Sequence, residues 1–154
     1  MKSRTKKILL YSTAVVLLLL AGGGYYISKE FNRRNKDTSL IKADYTLASS
    51  VLVSEFERND SLASVKYMDK VIDVNGSVKE IARDEKGYIT IVLGDSVQRS
   101  SVRCSLDSNH HSEANLVRQG GAVRIKGICS GFNKEELLGS DVVLVRCVLS
   151  TPKK

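Results

Sequence analysis

Four patterns of hydrophobic and polar positions follow one another along the chain. Ile8 to Ile27, ILLYSTAVVLLLLAGGGYYI, is a run of twenty residues without a charge. As a helix rising about 1.5 Å per residue it would span roughly 30 Å, the thickness of a bilayer core. Glu30 to Ala43 is polar and charged with no sustained period, as a linker is. From Thr46, a predicted N-cap, Leu47, Val51, Leu52, Glu55 and Phe56 recur at helical spacing. That predicts an amphipathic helix to about Arg58, and a second short helix is expected over Ser61 to Tyr67.

Beyond Tyr67 the period is two. Ile72, Val74, Gly76 and Val78 face one way and Asp73, Asn75, Ser77 and Lys79 the other, which makes strand one. A turn over Arg83 to Gly87 leads to strand two, Tyr88 to Leu93, rich in β-branched residues. Strand three is Val102 to Leu106. Ser112 to Arg118 makes two helical turns, stopped by Gly120-Gly121, before strands four, Ala122 to Cys129, and five, Asp141 to Leu149. The order β-β-β-α-β-β in about a hundred residues, with Gly76 and Gly127 inside strands that bend, predicts a five-stranded OB-fold Greek-key barrel. The fold expected is mainly β, with an amphipathic helix before the barrel and one transmembrane helix before that.

Within that frame the sequence resembles the bacterial tRNA_anti-like OB-fold family. The resemblance lies in Leu47 to Phe56, Asp60 and Ala63 before Lys66-Tyr67, and Lys70 to Val78. It continues in Val102 to Leu106, Gly127 to Phe132 and Asp141 to Cys147, and covers about residues 44–150. It implies the fold and, for many members, an envelope location. It does not imply tRNA binding, because the family name reports likeness to anticodon-binding OB domains. The loop Asn133 to Ser140 is longer than in typical members.

Charge changes the picture of what the barrel meets. The net charge of +7 would suggest nucleic acid, yet residues 1–43 hold nine basic and two acidic residues, leaving 15 of each from residue 44 onward. The excess flanks the apolar run, where cations meet lipid headgroups. Nucleic acid is therefore a disfavoured partner. The chain divides into a basic tail (1–7), a transmembrane anchor (8–27), a juxtamembrane linker (28–43), the OB domain (44–150) and a short tail (151–154). An uncleaved signal-anchor fits the length of the run better than a cleaved signal peptide, since no Ala-x-Ala site is present. A single-pass protein with its domain on the extracytoplasmic, periplasmic side is expected, its partners the membrane and an envelope protein, glycan or small ligand.

The sequence carries no recognisable catalytic arrangement, so no enzyme, cofactor or metal site is expected. His110-His111 reads as a solvated loop, since adjacent histidines diverge. Ligand contacts are expected from Tyr88, Arg99 and Arg103 on the face of strands two and three, with Phe132 and Lys134 from the last loop. Cys104, Cys129 and Cys147 share the apolar parity of their strands and point inward. Cys129 and Cys147 lie on neighbouring strands and are a possible disulfide, with three buried free thiols the alternative.

Overall fold

The alternation that starts at Val71 runs further than the glycine inside it suggests. The strand is thirteen residues long, Val71–Arg83, and it organises the domain in the computed structural model. The model describes Gly22 and residues 37–95, 97–135 and 139–150. The chain divides into two units, Met1–Asn35 and Lys36–Lys154. Apart from Gly22, the expected anchor at residues 8–27 lies outside the described residues, as do the start of the linker and the tail 151–154. Among the described residues no helix is long and apolar enough to cross a membrane.

In chain order the elements are β1 (Tyr45–Ala48), α1 (Ser49–Arg58), α2 (Asp60–Tyr67), β2 (Val71–Arg83), β3 (Ile89–Leu93), β4 (Ser101–Leu106), β5 (Ala122–Asn133) and β6 (Asp141–Leu149). The barrel runs β2-β3-β4-β6-β5 and closes back on β2. Its first half, from Val71 to Ser77, pairs antiparallel with β5, and its second half, from Val78, with β3. β4 and β6 run parallel, which is the OB connectivity. Ile72, Val74, Ile91, Leu93, Val102 and Leu144 fill the interior, each fully buried. Gly127 is required there: a Cβ on it would lie 2.5 Å from Cys147 Sγ and 3.1 Å from Leu144 Cβ.

Three elements differ from their expected form. Thr46 does not cap a helix: Tyr45–Ala48 is a short strand parallel to β2, and the helix begins at Ser49. Helical spacing there reflects Leu47 packing against the core from a strand position. The segment before β5 is a 3-10 run over Ser108–Leu116 in place of two α-helical turns, with Asp107 accepting the Asn109 N–H at its start. β5 continues past Cys129 to Asn133 through a register shift between Cys129 and Gly131. α2 starts where its cap dictates, with the Asn59 side chain accepting the Leu62 N–H.

The last residues of the expected linker are seated on the barrel. Lys126 Nζ donates to the carbonyls of Ser39 and Ile41, both at 2.9 Å. Asp44 Oδ2 accepts the Val71 N–H at 2.9 Å. His110 joins this segment to the 3-10 run, with Nδ1 at 2.7 Å from Glu113 and Nε2 at 3.3 Å from Asp37. The Glu113 hydrogen bond raises the His110 pKa above its usual 6.5, against the effect of burial and with help from Asp37. A raised histidine pKa gives stability that is complete below about pH 6.5 and is lost as pH rises through the folded value. Thermal melts of the full chain from about pH 6 to about pH 9 should therefore show a falling Tm, and His110→Gln should remove that part of the slope. A His110 titration midpoint below 6.5 in NMR would contradict the seating.

Candidate binding site

The face of β3 and β4 presents alternate residues outward, Thr90 beside Ser105 and Val92 beside Arg103. At the end of this face where β4 begins, the 94–100 loop and the β5–β6 loop enclose a cleft of about 430 Å³. Arg99 and Arg103 both line it. An adjoining cleft of about 320 Å³ is lined by Arg99, Phe132 and Lys134 together with Glu57 and Glu135. Four of the five expected residues thus converge around the β5–β6 loop.

Tyr88 does not join them. It precedes β3 by one residue, so at about 3.3 Å per residue it lies roughly 13 Å along the strand from Val92, the partner of Arg103. Its ring is half-exposed and meets His111 edge-on at 6.2 Å, at the other end of β4. The histidine pair that reads as solvated loop is thus partly engaged: His111 in this edge contact, His110 in the linker seating.

The cleft is electrically mixed. Arg103 Nε donates to Asp141 Oδ2 at 2.6 Å, and Ser101 Oγ donates to the other carboxylate oxygen at 2.5 Å. Lys79 Nζ donates to the Gln98 carbonyl at 2.7 Å and holds the 94–100 loop down. Ser100 Oγ donates to Glu57, tying that loop to α1. Lys79, Arg99 and Arg103 share the cleft with Glu80, Glu135 and Asp141.

Phe132 has a structural task that its position in the sequence does not reveal. Its ring stacks on Phe56 of α1 at 5.0 Å and 25°, Phe56 leans on Tyr67 at 6.0 Å, and Tyr67 meets Tyr45 edge-on at 5.0 Å. This chain of rings fastens both helices and β1 to the barrel. Glu55 Oε2 closes it, accepting from Lys66 Nζ at 2.8 Å and Tyr67 Oη at 2.9 Å, with Lys66 Nζ over the Tyr67 ring at 4.6 Å. The lysine hydrogen bond lowers the Glu55 pKa and raises that of Lys66, while burial raises that of Tyr67.

The cysteines are free and buried. The possible bridge between Cys129 and Cys147 is not formed, because the register sets Cys129 opposite Leu144, and Cys147 packs over Gly127. The thiol that touches Cys147 is that of Cys104. Burial pushes the Cys129 thiol up to about 11 and that of Cys147 well above its usual value, so neither is a ready nucleophile. Among the described residues no group of three or more His, Cys, Asp or Glu side chains is placed to hold a metal ion.

The tRNA_anti-like family model matches residues 1–149. The chain belongs to the tRNA_anti-like family. Among solved structures, this tRNA_anti-like chain is similar to a candidate nucleic acid-binding lipoprotein from Klebsiella pneumoniae, at 17% identity over 68% of this chain and 91% of that one, with a TM-score of 0.55. That likeness is one of fold. Weaker likenesses are to a replication factor A related protein from Methanobacterium thermoautotrophicum (13% identity, 56% and 86% of the two chains, TM-score 0.37) and to Entamoeba histolytica asparaginyl-tRNA synthetase (12%, 56% and 22%, TM-score 0.39). No curated protein matches the sequence.

If Phe132 serves the Phe56 stack, Phe132→Leu should lower stability by about 0.5–1.5 kcal/mol in urea unfolding, the worth of an aromatic pair beyond its area. An unchanged midpoint would instead mark the ring as free for a ligand.

Proposed function

We propose that this tRNA_anti-like protein is a binding module of the bacterial cell envelope, anchored by residues 8–27 with its barrel on the extracytoplasmic side, and that it acts by binding rather than by catalysis. The client lies on the β3–β4 face against the β5–β6 loop, where Arg99, Arg103 and Lys134 supply the cationic groups. The observation that carries this reading is the balance of charge in the cleft, where Lys79, Arg99 and Arg103 line it beside Glu80, Glu135 and Asp141 and Arg103 is held by Asp141. A polyphosphate backbone is held by cations in excess, which release counterions as they engage it. A glycan, a peptide or a partner protein needs no such excess.

The second reading is nucleic-acid binding at the cytoplasmic face of the membrane. It is supported by the description of the Klebsiella protein and by the use of this OB face for single strands. Against it stand the balanced cleft and the engagement of Phe132 with Phe56, which leaves the face without a dense stacking platform.

Fluorescence anisotropy of the full chain in detergent with labelled single-stranded DNA and RNA separates the two. At about 0.15 M salt we expect binding no tighter than about 10⁻⁴ M, the weak end of non-specific association. Binding at about 10⁻⁵ M or tighter, falling steeply with added salt, would contradict the first reading and make nucleic acid the client.

A further inference from the structure

We propose that the cavity at the amino-terminal end of α1 binds a small ligand with one acidic group and several hydroxyls, of the class of sugar acids and sugar phosphates. The site is distinct from the β3–β4 cleft and stands whether or not that cleft has the client proposed above. At about 670 Å³ the cavity is within the usual size for a ligand pocket.

Its floor is built by the strand that closes the barrel. Along β2, β1 pairs as far as Asn75 and β3 begins at Val78, so Gly76 and Ser77 lie between the two. Here the chain leaves β1 and turns directly into α1. The residue at the cap position is Ala48, which offers no side-chain acceptor to the first-turn amides. Those amides have no intrahelical partners and carry the positive end of the helix dipole, so they suit an anionic oxygen.

Ser49 is the second and independent observation. Only 6% of it is exposed, it lines the cavity, and its hydroxyl makes no hydrogen bond within the protein. The hydroxyl is not among the atoms sealed from solvent, so within a nine-tenths buried residue it is left open on the side of the cavity, where a ligand oxygen can take the place of water. Gly76 makes room for it, since a Cβ there would come within 2.5 Å of Ser49 Oγ.

The remaining wall decides the ligand class. Ser50, Asn75 and Gln98 bring a hydroxyl and two amides, and Asp95 brings a carboxylate. No Lys or Arg lines the cavity among the described residues. Asp95 therefore accepts from ligand hydroxyls, while the helix end and Ser49 take a single acidic group, so a ligand that carries both is favoured over an anion without hydroxyls.

Amide NMR of the full chain in detergent micelles tests this, with glucose 6-phosphate, glucuronate, glucose and inorganic phosphate each titrated to about 10 mM. Saturable shifts at the Ser49, Ser50, Val51 and Gly76 amides with at least one acidic sugar, about tenfold weaker with glucose and with phosphate, are the expected result. The stronger of the two acidic sugars tells phosphate from carboxylate. Ser49→Ala, a substitution that removes only an unpaired hydroxyl, should weaken binding about tenfold with the remaining spectrum unchanged. No saturable shift at those amides with either acidic sugar, or an equal response to glucose, would overturn the proposal.

Discussion

The domain depends on one strand pairing twice. β2 gives its first half to β5 and its second to β3, and only a bent strand can do both and close a five-stranded barrel without an open edge. Two close approaches make room for this. Ser49 crosses over Gly76, and Cys147 crosses over Gly127 on the partner strand β5. With closure fixed, the ends of the other strands are fixed too. β4 and β6 start side by side, so their loops flank one cleft, and the break between β1 and β3 along β2 leaves room for the end of α1.

How much of this was legible depends on the kind of pattern each part leaves. The barrel strands were, because burial on one face imposes a period of two that Ile72, Val74 and Val78 carry openly. β1 was not: four residues cannot establish a period, and Leu47 and Val51 coincide with helical spacing. The OB pattern brings Arg99, Arg103, Lys134 and Phe132 into one neighbourhood, but Arg99 lies in the 94–100 loop and not on a strand face, Phe132 lies in β5 and not in the last loop, and pairing with Asp141 and stacking on Phe56 are tertiary facts without a local signal. Tyr88 was grouped with them because parity along a strand reports the face and not the position along it. The cavity at Ser49 left no trace, since small residues from separate segments build it and none is distinctive alone.

Function follows from where charge is and is not. The cationic excess belongs to residues 1–43, and the barrel cleft balances its cations against carboxylates. The seated segment around Ser39 and Ile41 shows how a tether would be joined to the barrel: through Lys126 and His110 to the elements that close one end of it.

The claim most open to direct test is the proposed topology, a membrane anchor with the barrel outside the cytoplasm. Two reporters would be fused after Lys154, one active only outside the cytoplasm and one fluorescent only within it. With the barrel outside, the first fusion is active and the second is dark. A fluorescent fusion without external activity would contradict that topology and place the barrel among cytoplasmic clients.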